Sequence, residues 1–370
     1  MRRPMTTSLV PVSAPTGVSV NRWTTIRALA ESKGRVDEVA LHARGMDLVA
    51  ANRAESTRKV YAGALLHWFE YCLRADCPPL PATVFDVANW VAHMSAPDDG
   101  SKPLSPSTIR VRVAAVSALH DEAGHDSPTR DPSVRKRMSG WKREQAKNGV
   151  KPRQAQALRL DDLRAVLLAF NDKRGHPVAD RDSALLLTAW VSSRRRSTLV
   201  KIKLADLTIT DDVITIRLGV SKTDQTGARN ETSVLPAGLH DLTCPVRAVG
   251  ALLDYYVQVD GVDSVADLDP QTHLFRSMRS NGTTTDGLKR MDAGSVNDVV
   301  KRRVAAAGFD PQRFSAHSTR RGHVTTRVEA GQPLTDIMST TGHCDVRSLS
   351  GYVAQRAATV SAQQVIALGL

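Results

Sequence analysis

Cysteine and long apolar runs are both scarce in this sequence. The four cysteines among 370 residues have neither the paired spacing of a disulfide framework nor that of a zinc site: Cys72, Cys77, Cys244 and Cys344. Reduced thiols are therefore expected. No uninterrupted apolar stretch approaches the ~18 residues needed to cross a bilayer, and residues 1–8 lack the apolar centre of a signal peptide. These features predict a soluble protein of the cytoplasm, without a membrane partner.

Acidic residues are outnumbered by basic ones. Lys and Arg total 50 against 38 Asp and Glu, which gives a formal net charge of +12 and an isoelectric point near 9.8. Such an excess favours a polyanionic partner. The chain is long enough for two domains, because a typical domain has about 100 to 200 residues. No internal repeat or low-complexity tract is present.

The residues best suited to phosphate chemistry are concentrated in the segment 314–352. His317 and Arg320 are three positions apart, so a helix that starts just before them would place both side chains on one face. Arg offers a planar fork of donors that matches two phosphate oxygens, which Lys does not. The hydroxyl of Tyr352 is a weak nucleophile unless a base or positive charge assists it. An isolated HxxR is more often a surface pair and a single Tyr more often packs, but their joint spacing with His343 favours a phosphate site.

These residues resemble the C-terminal signature of the tyrosine recombinases, also called phage integrases. In that family an HxxR, a Gly-His and a nucleophilic Tyr nine residues beyond that His occur in this order. Here they are His317-Ser-Thr-Arg320, Gly342-His343 and Tyr352. The resemblance covers the second half of the chain and, more loosely, the helical region before it. It implies a mainly α fold with a small antiparallel β-sheet, in which a helical DNA-binding domain precedes the catalytic domain.

The family has a further Arg near the start of its catalytic domain. Counting back eleven positions from Asp206 selects Arg195, although Arg194 and Arg196 adjoin it and keep the choice open. Thr198 stands where the family usually has Glu, which leaves the surroundings of this Arg different from the family pattern.

A catalytic Lys is implied in a β-hairpin that follows. Residues 213–218 alternate apolar and polar side chains as a strand does, and residues 232–235 fit as its partner. Lys222 lies between the two predicted strands. Most lysines in turns are merely solvated, so only the resemblance assigns this one a role.

The resemblance implies DNA strand exchange through a 3′-phosphotyrosyl intermediate, without metal, ATP or another cofactor. By the resemblance, Tyr352 is the nucleophile, and Arg195, Arg320 and His343 bind the phosphate. His317 is the proton acceptor and Lys222 is the general acid. The expected partners are double-stranded DNA of the bacterial nucleoid and other copies of the chain, in a tetramer on two sites that exchanges the tail 357–370. A type IB topoisomerase-like enzyme and a non-catalytic basic DNA-binding protein are the alternatives.

The chain is predicted to begin with an N-terminal extension (residues 1–50) and a helical domain (51–128). A basic linker (129–156) then leads to the catalytic domain (157–370). In the helical domain, Ser56-Thr57, Thr83 with Asp86, and Ser105-Pro106 are each predicted to start a helix. The Trp and Tyr residues recur at helical spacing and are interpreted as core.

The stretch 130–153 carries nine Lys or Arg against Asp131 and Glu144, with Pro and Gly interrupting it. A solvated basic loop and a phosphate-tracking linker both fit, and the second is favoured. The candidate DNA-binding residues are Arg135, Lys136, Arg137, Lys142, Arg143, Lys147, Lys151 and Arg153.

Overall fold

The structure, a computed structural model, describes residues 20–35, 55–150, 154–219, 231–284 and 289–342. By its internal contacts the chain divides into two units, residues 1–152 and 153–370. No helix in the described ranges is long and apolar enough to cross a membrane.

The described residues of the first unit form helices joined by loops. They are α1 (Val20–Ser32), α2 (Glu55–Ala75), α3 (Val84–Ser95), α4 (Pro106–Glu122) and α5 (Pro132–Lys147). Trp68 and Trp90 are fully buried between them, with ring centroids 4.9 Å apart in an edge-to-face arrangement. The Trp68 indole donates a hydrogen bond to the carbonyl of Pro79. The prediction that these aromatic residues form the core is confirmed.

Two of the three predicted helix starts in this unit are confirmed. The hydroxyl of Thr83 accepts a hydrogen bond from the Asp86 amide at 3.2 Å while the Asp86 carboxylate accepts one from the Thr83 amide, which is a capping box. Ser105 caps α4, with Pro106 at its first position. The start predicted at Ser56-Thr57 is wrong, because α2 begins at Glu55 and includes both residues.

Helix α5 corrects the expectation of an irregular basic segment. Asp131 caps the helix by accepting from the Ser133 amide, and Pro132 occupies its first position, where a missing N–H costs nothing. Val134 is buried, and Met138 and Trp141 pack against the core of the unit. The basic side chains from Arg135 to Lys147 are exposed on the remaining faces of the helix.

The second unit surrounds a buried helix with further helices and a small sheet. Its helices are α6 (Leu160–Leu168), α7 (Pro177–Ser192), α8 (Arg196–Leu199), α9 (Pro245–Asp260), α10 (Ala293–Ala306), α11 (Ala316–Glu329) and α12 (Leu334–Thr341). Helix α7 is buried along most of its length and packs against α9 and α11. The mainly α fold with a small antiparallel sheet is confirmed.

The sheet contains β1 (Leu207–Ile209), β2 (Val213–Arg217) and β3 (Thr232–Pro236), antiparallel in that order. Ile214 pairs with Leu235, and both are buried on the face turned toward the core. The strands predicted on either side of Lys222 are thus confirmed, whereas β1 was not predicted. Beyond the paired strands, the Leu218 amide donates a hydrogen bond of 2.8 Å to the Glu231 carbonyl.

A buried carboxylate joins α7 to α10. Asp182 has no exposed surface and accepts hydrogen bonds from Arg181, Arg302 and Arg303. A buried carboxylate needs such partners because an unpaired charge in the interior is costly. The contacts fix the basic middle of α10 against the central helix.

Helix α11 lies unusually close to the start of the second unit. The Leu158 amide donates to the Ser318 carbonyl at 2.9 Å, and a Cβ added to Gly322 would lie 1.6 Å from the Leu158 carbonyl oxygen. Only glycine permits this approach. The helix that carries the HxxR motif is therefore fixed against the chain at Leu158.

Candidate active site

A left-handed turn places the three consecutive arginines in different environments. Ser193 follows α7 with φ 53° and ψ 26°, a conformation that non-glycine residues rarely adopt. The chain then extends through Arg195 before α8 begins at Arg196. As a result Arg194 is buried, Arg195 is half-buried and Arg196 is exposed.

Helix α11 presents the HxxR pair to the same turn. Ser315 caps the helix by accepting from the His317 amide at 3.2 Å, so the predicted start of this helix is confirmed. Arg320 is 4% exposed, and its Nη1 donates a hydrogen bond of 2.6 Å to the carbonyl of Ser193. The guanidinium of Arg320 is thereby held beside the backbone that leads into Arg195.

The turn, the hairpin and the end of α12 enclose a narrow cleft. Arg195 and Arg320 both line it, so the structure brings these two predicted residues together. The remaining lining residues are Arg194, Thr198, Leu218, Glu231, Thr341 and Gly342. The guanidiniums of Arg195 and Arg320 provide the fixed positive charge that a phosphate would require.

Positive charge also surrounds His317. Part of the residue is exposed, yet desolvation of its ring is the largest cause of a lowered pKa, followed by the charges of Arg320, Arg321 and Arg195. The imidazole is therefore neutral near pH 7 and able to accept a proton. A neutral ring at this position is what a proton acceptor needs.

Arg194 pairs with a carboxylate that the sequence did not indicate. Its Nη1 lies 2.7 Å from Oε2 of Glu231, and the side chains are 8% and 20% exposed. Burial lowers the pKa of Arg194, and Glu231 opposes this shift. Glu231 was not singled out from the sequence as a site residue. Its signal in the sequence was only its place immediately before the predicted strand 232–235.

Several predicted site residues lie outside the described part of the chain. They are Tyr352, Lys222 and His343 among the catalytic candidates, and Lys151 and Arg153 among the DNA-binding candidates. The described chain stops at Gly219 before Lys222 and resumes at Glu231, and it stops before His343 at Gly342, which ends α12 in a left-handed conformation with φ 65°.

The model of the phage integrase family matches residues 156–359, more than half of the chain. The chain therefore belongs to the phage integrase family and is a site-specific tyrosine recombinase, as its motifs predicted over the topoisomerase-like and non-catalytic alternatives.

Individual relatives agree with this membership. The integrase/recombinase XerD homolog of Selenomonas ruminantium is 28% identical over 312 residues, which cover 82% of this chain and 83% of that protein. The Cre recombinase of Escherichia phage P1 is 25% identical over 320 residues, or 83% of this chain and 87% of the relative.

Solved structures share the fold. The XerH site-specific recombinase bound to palindromic difH substrate aligns with a TM-score of 0.57 at 16% identity, over 96% of this chain and 91% of that one. The Tn1549 transposon integrase in complex with transposon right end DNA aligns with a TM-score of 0.55 at 15% identity, over 87% and 99%.

Proposed function

We propose that this recombinase cuts and rejoins DNA through Tyr352. The tyrosine oxygen forms a bond to the scissile phosphorus as the bond from phosphorus to the 5′ oxygen breaks, which leaves a 3′-phosphotyrosyl intermediate. The 5′ hydroxyl of another strand then reverses the step. Because the phosphodiester energy is kept in the intermediate, ATP is not required, and the arginine guanidiniums take the charge-stabilising role that a metal would otherwise have.

The shared cleft of Arg195 and Arg320 is the observation that carries this proposal. Displacement at phosphorus builds negative charge on the non-bridging oxygens, and preorganised donors stabilise that charge without reorganisation. Arg195 and Arg320 supply these donors, and His343 adds another. The side chain of Arg195 forms no hydrogen bond or ion pair with the residues that the structure describes, so it is available for phosphate.

Two further groups move protons. His317 accepts the tyrosine proton, and its lowered pKa favours the neutral ring, the form that can accept one. Lys222 donates a proton to the departing 5′ oxygen. The alkoxide is a poor leaving group, so a general acid accelerates this step by about 10²- to 10⁴-fold.

DNA is the partner, and the helical first unit contributes to its binding. The exposed charges of α5, at Arg135, Lys136, Arg137, Lys142, Arg143 and Lys147, track the phosphate backbone, and Lys151 and Arg153 continue this basic series along the chain. Four protomers on two sites, with the tail 357–370 exchanged between them, would assemble near the bacterial nucleoid. The solved XerH and Tn1549 relatives are bound to DNA, which supports the DNA partner.

Replacement of the nucleophile tests the mechanism. The substrate is a nicked DNA duplex that carries the sequences flanking the DNA element on which this recombinase is encoded. It traps the covalent adduct, because the released strand end diffuses away. Tyr352→Phe is expected to bind this duplex and form no adduct. Tyr255→Phe is the matched control, since the Tyr255 hydroxyl only donates to the Gly282 carbonyl. An adduct that persists in Tyr352→Phe would show that another residue is the nucleophile.

A further inference from the structure

We propose that Arg194 is a positioning residue for the arginine pair of the cleft. Arg194 sits between Ser193, whose carbonyl holds Arg320, and Arg195, which lines the cleft. A shift of the Arg194 backbone would therefore move both phosphate-binding guanidiniums. This inference rests on the proposed roles of Arg195 and Arg320 and adds a residue whose guanidinium is paired with Glu231 and which acts through those two arginines.

The contacts of Arg194 fix it from two sides. Its Nη1 donates to Glu231 at 2.7 Å, and its Nη2 lies 3.5 Å from the Thr232 carbonyl, so β3 holds the guanidinium. On the other side, a Cβ built on Gly342 would lie 2.8 Å from Nη1 and 3.6 Å from Glu231 Oε2. The ion pair thus packs directly under the turn that ends α12.

The ion pair compensates for the strain of the preceding turn. A serine with φ 53° costs free energy relative to ordinary backbone and persists only where its surroundings enforce it. The side chain of Arg194, the residue after Ser193, is held at the start of β3, and Arg320 binds the Ser193 carbonyl. Without the anchor, the turn would relax and the spacing of Arg195 and Arg320 would change.

Thr198 changes the charge around Arg195 relative to the family pattern. The residue lines the cleft at the position where the family pattern has Glu, so this chain lacks that carboxylate next to Arg195. Glu231, immediately before β3, brings a carboxylate to the cleft instead, and Arg194 neutralises it. The positive charge of Arg195 and Arg320 is therefore left undiminished for phosphate.

The test compares adduct formation on two substrates under single-turnover conditions with the full chain. One is the nicked duplex, and the other carries a methylphosphonate at the scissile position, which removes one negative oxygen and so reduces the need for guanidinium charge. Arg320→Ala sets the reference, because its defect should shrink on the methylphosphonate.

Arg194→Met is expected to form adduct about 100-fold more slowly on the phosphodiester, as misplacement of catalytic groups by an ångström does. Its affinity for the duplex should stay unchanged, and its defect should shrink on the methylphosphonate as that of Arg320→Ala does. Arg194→Lys should recover part of the rate, since it keeps the charge but loses the fork of donors.

Loss of folding is separated from loss of positioning by the double variant. Arg194→Met leaves Glu231 buried without its partner, whereas Arg194→Met with Glu231→Gln removes both charges. The double variant should keep the melting temperature and react as slowly as Arg194→Met, because paired residues are not additive. Arg196→Met, an exposed neighbour, should react normally, and Asp260→Asn should weaken the buried pair with Arg276 without a substrate-dependent defect.

Each other result overturns the inference. A normal rate for Arg194→Met on the phosphodiester, or equal slowing on both substrates, shows that Arg194 does not act through the arginine pair. If instead Arg320→Ala is not relieved by the methylphosphonate, or Tyr352→Phe still forms adduct, the proposed function fails and the inference fails with it.

Discussion

His323 is a buried histidine whose two ring nitrogens have no hydrogen-bond partner among the described residues. Its ring packs edge-on against Trp190, with centroids 5.1 Å apart and planes at 75°. Burial first, and then the charges of Arg327 and Arg320, lowers its pKa to about 4. The folded protein therefore holds this ring neutral, at a cost that grows as the solution becomes more acidic.

The free energy of unfolding should fall as the pH drops from the ordinary histidine pKa of about 6.5 toward 4. In this window the unfolded chain binds a proton at His323 that the folded chain does not, which costs about 1.4 kcal/mol per pH unit. His323→Phe keeps the aromatic contact with Trp190 and should remove this part of the slope. Denaturant unfolding at pH 7 and pH 5 measures it, with the exposed His240→Phe as the control that leaves the slope intact.

Arg321 offers a way to change the pKa of His317 without altering the cleft. Its charge is one of three that lower this pKa, and its Nη1 donates to Gln154 rather than to a cleft residue. Arg321→Met should raise the pKa, so the ring becomes protonated, and unable to accept the tyrosine proton, at a higher pH. The acidic limb of the adduct-formation rate should shift to higher pH, while Arg313→Met should leave it in place.

At the scale of elements, side-chain periodicity and capping residues predicted most of the helices. The Thr83 capping box and Ser105-Pro106 are local signals, and their hydrogen bonds form within one turn of the chain. Helix α5 was missed because Pro132 was interpreted as a breaker, although proline is favoured at a first helical position. The spacing of Val134, Met138 and Trp141 carried the correct signal.

Parts of the site depend on contacts that no local pattern encodes. The HxxR helix was predictable, because Ser315 and the spacing of His317 and Arg320 are adjacent in sequence. The ion pair of Arg194 with Glu231 was not, since 37 residues separate the partners and the turn at Ser193 decides which arginine faces inward. Strand β1, at three residues, is too short for an alternation to be recognised.

Two helical glycines should respond oppositely to alanine. Gly140 lies in the middle of α5 with open space around its missing Cβ, so Gly140→Ala should stabilise the protein by about 0.5–1 kcal/mol. Gly322→Ala would place a methyl group against the Leu158 carbonyl and should destabilise it by several times that amount. Melting temperatures of the two variants provide the comparison, and a stabilised Gly322→Ala would contradict the close approach of α11.

For the whole molecule, the charge excess should appear as a steep salt dependence of DNA binding. Each phosphate contact contributes about 0.9 to the slope of log affinity against log salt concentration. Replacing Lys142 and Lys147, both exposed on α5, by Gln should therefore reduce the slope by about 1.8 in all. Fluorescence anisotropy at several salt concentrations measures this, and Lys173→Gln in the second unit is the control. An unchanged slope would show that Lys142 and Lys147 do not contact DNA phosphates.

The left-handed residue after α7, Ser193, fixes the position of each arginine in the run that follows it. Arg194, Arg195 and Arg196 are chemically identical, and only their distance from Ser193 assigns one to the interior, one to the cleft and one to solvent. Deleting a single residue here would leave the composition of the run nearly intact while exchanging the environments of its members. The number of residues in this segment therefore constrains its evolution more than its charge does. A change of length should inactivate the protein, whereas replacement of the exposed Arg196 should leave its activity unchanged.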